Sequence, residues 1–183
     1  EEASGRCRIV KKQKLRRQKR DADWYMPQES KRRRVSQDNK CLRPKSVEAV
    51  IVSVDCGDQL AQVIGHNVKQ LNRMVVVTAT HDDLTQRIAR AAGAEVVVTD
   101  ACYLNGDVFN KGRMLNAGLD RMLMKDWCLN LDADILLPED FAAKLRELTL
   151  NPGCLYYARR RHLREDGTLE DMKGEGEAFR LWG

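Results

Sequence analysis

Residues 48–79 read EAVIVSVDCGDQLAQVIGHNVKQLNRMVVVTA. Glu48 to Val54 is a short, continuous β-branched run of the kind that fills a strand covered on both faces, and Asp55-Cys56-Gly57-Asp58 breaks it. Leu60, Val63, Ile64, Val68 and Leu71 then recur at helical spacing and put one apolar stripe on a helix. Arg73 to Ala79 repeats the strand signal. The alternation continues outward. Thr80-His81-Asp82-Asp83 reads as a capping box with Thr80 as the cap, Leu84, Ile88, Ala91 and Ala92 supply the next apolar face, and Gly93 is placed to stop that helix. Glu95 to Thr99 is a third strand. Asn110 caps a helix carrying Leu115, Leu119 and Met122, and Asp126 to Leu131 is a fourth strand. Pro138 opens a helix carrying Phe141, Leu145 and Leu148, and Glu177 to Trp182 (EAFRLW) is strand-like. Strand and helix in alternation predict an α/β fold: a mainly parallel sheet with flanking helices and right-handed crossovers.

The 183 residues, 43% hydrophobic and 32% charged, suit one domain with an appendage and exclude a collagen, a coiled coil or a wholly disordered chain. Aromatic residues are only 5%, so the core is aliphatic, and a single-strand nucleic-acid reader built on many stacked rings is disfavoured. The net charge of +5 conceals a division, with 16 basic against 6 acidic residues in 1–45 and 16 against 21 in 46–183. The basic runs 6–20 (RCRIVKKQKLRRQKR) and 31–34 (KRRR) have few apolar positions to offset the entropy of ordering. Residues 1–45 are therefore expected to be an extension, flexible or partly helical, and 46–183 the folded domain. The six cysteines, at 7, 41, 56, 102, 128 and 154, include no CxxC pair, and three of them lie in or beside apolar, strand-like runs as small hydrophobes, which favours a reducing, cytoplasmic setting. No apolar stretch approaches the roughly 18–20 residues of a membrane span.

In a parallel sheet the ligand crevice lies at the carboxyl ends of the strands. The candidates are therefore Asp55 after the first strand, His81, Asp82 and Asp83 after the second, and Asp132 and Asp134 after the fourth. Asp132-Ala133-Asp134 offers two hard oxygen ligands to Mg²⁺ or Mn²⁺, with diphosphate oxygens completing the shell. Acids at strand ends also serve as caps and solvated turn residues, and a bare Asp-x-Asp has little specificity.

The surrounding segment adds it. Cys128 to Phe141, CLNLDADILLPEDF, resembles the Asp-x-Asp region of nucleotide-sugar glycosyltransferases of the GT-A fold, a Rossmann-like architecture. Phe109 to Leu119, FNKGRMLNAGL, looks like the "NKG…N.G" helix of their family-2-like members, and VIVSVD is similar to their first strand. The resemblance spans roughly residues 46–183. It implies transfer of a sugar from a nucleoside-diphosphate donor to an acceptor hydroxyl on a glycan, lipid or protein, with Mn²⁺ or Mg²⁺ at the Asp pair offsetting charge on the departing diphosphate. It implies Val54, Asp55 and Asp83 at the base and ribose, with Asp82 the neighbouring option for the last role. Lys111, Arg113 and Asn116 fall near the diphosphate and donor sugar. Asp134 becomes the direct metal ligand, and Asp132 contacts ribose, or the metal through water. A helix N-terminus with Lys and Arg suits an anionic phosphate, although either cation also fits a solvated helix face. Asn116, among Leu115, Ala117 and Leu119, needs a polar partner if buried.

An inverting enzyme also needs a carboxylate base. In such enzymes the base and often a third metal ligand lie well beyond the Asp pair, so both are expected outside this chain, which then corresponds to a truncated family member. Glu165, Asp166, Glu175 and Glu177 are candidates by default, and solvated loop acids is the plainer reading. Of the three histidines, His66 reads as structural or exposed, His81 borders the crevice, and His162 follows Tyr156-Tyr157-Ala158-Arg159-Arg160-Arg161 with little case for a ligand role.

Three rivals remain. A nucleotidyltransferase would carry a basic, Gly-rich loop after the first strand, where this chain has the acidic Asp55-Cys56-Gly57-Asp58. A haloacid-dehalogenase-type phosphatase would place its Asp-x-Asp after the opening strand, with Thr or Val where Leu136 stands. A non-catalytic nucleotide- or polyanion-binding protein would use the basic extension, residues 6–34, for salt-dependent, nonspecific contact with a polyanion.

Overall fold

The computed structural model describes residues 41–183 apart from Gly153, Arg160, Glu165, 172–176 and Gly183, with the backbone alone at 157–159, 162, 171 and 177–182. The basic runs of the extension lie outside the described residues. The element order is β1 (Val47–Val52), α1 (Gly57–Asn67), a 3-10 turn (Val68–Gln70), β2 (Arg73–Thr78), α2 (Asp83–Ala91) and β3 (Glu95–Val98). A 3-10 segment (Ala101–Gly106), α3 (Lys111–Leu119), β4 (Trp127–Asp132) and α4 (Phe141–Glu147) follow, and then β5 (Tyr156–Arg159), β6 (Arg161–Leu163), β7 (Leu169–Asp171) and β8 (Glu177–Trp182).

Six of these strands form one sheet in the order β3-β2-β1-β4-β8-β5, and β6 and β7 pair as a separate hairpin. The half that includes β3, β2, β1 and β4 is parallel. β8 runs antiparallel between β4 and β5. The α/β, mainly parallel architecture is thus the one the strand–helix alternation predicts.

β1 is buried along its whole length, and its period-two alternation feeds two cores. Val47, Ala49 and Ile51 join Leu60, Ile64, Met74, Val76, Leu129 and Leu131 on one face. Val50 and Val52 join Val75, Val77, Cys128, Met114 and Met122 on the other. α3 lies so close to this second face that a Cβ on Gly118 would stand 2.5 Å from Val50 Cγ2 and 2.6 Å from Val77 Cγ2. Gly93, at φ +85°, ends α2 as expected, its N–H bonded to Arg90 O and that of Ala94 to Ala89 O.

Three local expectations need correction. The cap of α2 is Asp82, whose side chain accepts from Thr85 N–H, whereas the Thr80 N–H donates to Asp100 Oδ1 at 2.9 Å. With the helix starting at Asp83, its buried face is Thr85, Gln86 and Ala89, while Leu84 and Ala91 are exposed. Pro138 does not open a helix. Leu137 is fixed by hydrogen bonds to α1, Phe141 N–H closes a turn onto Pro138 O at 3.1 Å, and α4 begins at Phe141. Asn116 is exposed on α3, so the condition under which its amide would need a protein partner is not met.

Candidate functional site

Parallel registry brings the carboxyl ends of β1, β2 and β4 to one edge. Val52 stands opposite Val77 of β2 on one side and Asp132 of β4 on the other. A cleft of about 390 Å³ opens there, and its walls include Val54, Cys56, Phe109, Lys111, Asp132 and Asp134.

β4 ends on Asp132, and the turn that follows is closed by Ile135 N–H onto Asp132 O at 3.3 Å, leaving Asp134 exposed. Lys111, the first residue of α3, reaches Asp132 Oδ1 with its Nζ at 2.5 Å. Asn110 caps that helix as the sequence suggests: its Oδ1 accepts from Arg113 N–H at 3.2 Å and its Nδ2 donates to Asp107 at 3.1 Å. Arg113 Nη1 turns back to Leu104 O at 2.6 Å and Asp107 Oδ2 at 3.0 Å, so it braces the loop before α3.

Beyond the cleft wall, Asp55 follows β1 in the left-handed region at φ +56°. Its N–H donates to Asp82 Oδ2 at 2.8 Å, and the same oxygen accepts from Thr78 Oγ1 at 3.0 Å, while Asp82 Oδ1 accepts from Thr85 N–H at 3.1 Å. Burial alone would raise the Asp82 carboxyl, but hydrogen bonds from Thr85, Asp55 and Thr78 outweigh it and hold the group below the ordinary aspartate range. Asp82 therefore welds the loop after β1 to the loop after β2. Asp83 is exposed on the first turn of α2. The exposed Asp55 carboxylate pairs with His81 Nε2 at 3.1 Å, and the His81 ring lies 6.1 Å from that of Tyr103.

No family model and no curated protein matches the chain. Solved glycosyltransferases of the GT-A type do. Mannosyl-3-phosphoglycerate synthase from Rubrobacter xylanophilus matches at 26% identity over 51% of this chain and 33% of that one, with a TM-score of 0.42. Glucosyl-3-phosphoglycerate synthase of Mycobacterium tuberculosis matches at 22% identity over 51% and 35%, TM-score 0.39. Its complex with Mn²⁺, uridine diphosphate and glucosyl-3-phosphoglycerate matches at 20% identity over 51% and 35%, TM-score 0.35. The match spans about a third of the length of each of these proteins.

Of the residues singled out in the sequence, Val54, Lys111, Asp132 and Asp134 line one cleft, and Asp55 and Asp82 are bonded to each other beside it. Arg113 and Asn116 lie further along α3. Among the described residues no group of three or more His, Cys, Asp and Glu side chains converges as a metal cage. Two carboxylates two residues apart on an open turn fit a hard cation that shares its shell with substrate phosphates, as Mg²⁺ commonly does. Asp166 accepts from Thr168 N–H and Oγ1 in the β6–β7 turn. Glu165 and Glu175 lie outside the described residues, as do the side chains of Glu177 and His162. The welding role of Asp82 was missed in the sequence, although Thr78, Asp82 and Thr85 at four- and three-residue spacing are the signal of an aspartate cap. The pairing of His81 with Asp55 joins residues 26 apart and left no local signal.

Proposed function

We propose that residues 46–183 are the donor-binding domain of a metal-dependent glycosyltransferase that moves a sugar from a nucleoside diphosphate to an acceptor hydroxyl. The observation that carries this reading is the meeting of Lys111, Asp132 and Asp134 in one cleft at the carboxyl ends of β1 and β4.

In this reading Asp134 and Asp132 hold Mn²⁺ or Mg²⁺, which when bound supplies positive charge against the leaving diphosphate. Lys111 gives the same diphosphate a second cation, directed by the helix that Asn110 caps. Val54 and Asp55 face the base and ribose, and Asp82 keeps their loop in place through the Asp55 N–H. Asp83, Arg113 and Asn116 are proposed contacts at the rim, toward the ribose and the donor sugar. This reading assigns no catalytic base among residues 46–183, takes the acceptor as a separate molecule, and treats residues 1–45 as an extension of the domain.

The charge of that extension, 16 basic against 6 acidic residues, favours one competing reading, a polyanion-binding protein with an inactive sheet domain. Calorimetric titration of uridine and guanosine diphosphate with and without Mn²⁺, beside a duplex-binding assay, separates the two. Metal-dependent nucleotide binding that is lost in Asp134→Ala supports the transferase. Binding to duplex alone, unchanged by that substitution, would sink it.

A further inference from the structure

Between Asp132 and Phe141 the chain has no strand or helix of its own, yet the exit of the Asp-Ala-Asp turn is tied to the end of α1. Asn67, the last residue of α1, is wholly buried. Its Nδ2 donates to Ile135 O at 2.7 Å, and its Oδ1 accepts from Leu137 N–H at 2.9 Å, so one amide pairs at both ends with a single extended segment. The neighbouring His66 donates through Nε2 to Leu137 O at 2.8 Å. Within the turn itself the closing bond, Ile135 N–H to Asp132 O, is 3.3 Å long.

We infer that Asn67, assisted by His66, is the positioning residue that fixes the Asp132-Ala133-Asp134 turn, an inference that rests on the donor-site reading above. An exposed carboxylate on a turn with one long internal bond keeps a defined direction only if the turn's exit is fixed. Misplacement of a ligand by about 1 Å is costly. α1 is suited to this task because its first turn carries Gln59 into the cleft wall, while its last turn holds residues 135–137, just past Asp134. The helix thereby sets the distance between the loop after β1 and the turn after β4. Neither Asn67 nor His66 reaches the cleft, so their effect on a metal would pass through Asp132 and Asp134.

The test uses Asn67→Ala and His66→Phe in the full chain, read by hydrogen exchange of the backbone amides and by calorimetry of uridine diphosphate with and without Mn²⁺. Asn67→Ala is expected to speed exchange at Leu137 at least about tenfold and to weaken Mn²⁺-supported nucleotide binding by about tenfold. Metal-free nucleotide binding should stay within about twofold, a split that general loss of stability would not produce. His66→Phe should shift both readouts in the same direction by less, and it decides the question if Asn67→Ala fails to fold. Equal weakening with and without metal, or no weakening, overturns the inference. If the wild type shows no metal-dependent nucleotide binding, the donor-site reading itself has failed. Exchange at 135–137 then reports only whether the clamp holds the turn, and unchanged exchange would remove that as well.

Discussion

The Lys111 ammonium stands 2.5 Å from Asp132 Oδ1 across the cleft, so the carboxylate proposed to serve a metal already has a cation beside it. Both groups are partly exposed, and solvent keeps the worth of such a pair to stability small. Its importance lies in competition. Lys111→Met is expected to tighten Mn²⁺ alone severalfold, by freeing Asp132, while weakening uridine diphosphate by about tenfold through loss of a phosphate contact. Titrating each ligand separately into the same variant checks both signs. A parallel fall in both affinities would show that Lys111 only shapes the fold.

Asp82 links pH to stability. Its native carboxyl is held below the unfolded value, so its stabilisation is complete above the ordinary aspartate pKa and disappears as pH falls through the lower native one. Asp82→Asn keeps one acceptor oxygen but turns an amide NH₂ toward either Asp55 N–H or Thr85 N–H, at a cost of about 1–3 kcal/mol near neutral pH. Denaturant unfolding of the two proteins should give a gap that narrows below about pH 4.

Two glycines should respond in opposite directions. A methyl at Gly118 would press on Val50 and Val77, buried sheet side chains with nowhere to move, and Gly118→Ala should destabilise by about 1–3 kcal/mol despite the better helix propensity of alanine. At Gly65, in α1, a Cβ meets nothing within 4 Å, and Gly65→Ala should stabilise by about 0.5–1 kcal/mol. Thermal melts of the two variants make the comparison.

The thiols offer a further check that includes the cleft. Cys41 and Cys154 are exposed, Cys56 is half-buried, and Cys102 and Cys128 are buried. Burial, followed by the nearby Glu48 carboxylate, pushes the Cys128 thiol up to about 11. Alkylation followed by mass spectrometry should mark Cys41 and Cys154 first and Cys56 more slowly, with Cys102 and Cys128 marked only on unfolding. Uridine diphosphate with Mn²⁺ should protect Cys56 selectively, because that residue lines the cleft.

The strand–helix alternation was legible because Val-rich runs such as 74–77 have no use except as strands buried on both faces, and the order of elements then fixes which ends meet. The Asp-x-Asp pair was legible as polar residues ending an apolar strand, whereas Lys111 was singled out by the resemblance of 109–119 to the "NKG…N.G" helix. The boundaries that failed were decided by contacts distant in sequence. Thr80 lost the cap of α2 because Asp100 takes its N–H and Asp82 is held by Asp55 and Thr78. Pro138 lost the start of α4 because Asn67, some seventy residues earlier, holds Leu137. The apolar neighbours of Asn116 left its burial open, and α3 presents Met114 and Gly118 to the sheet while Asn116 is exposed.

β8 lies between β4 and β5, antiparallel to both. The strand that ends in Asp132 therefore has one edge satisfied by β1, near the start of the fold, and the other only by residues 177–182. During synthesis the site strand waits with open backbone donors and acceptors while some fifty further residues emerge. Any shortened form that stops before Glu177 presents that edge to other chains, where strand addition and aggregation begin.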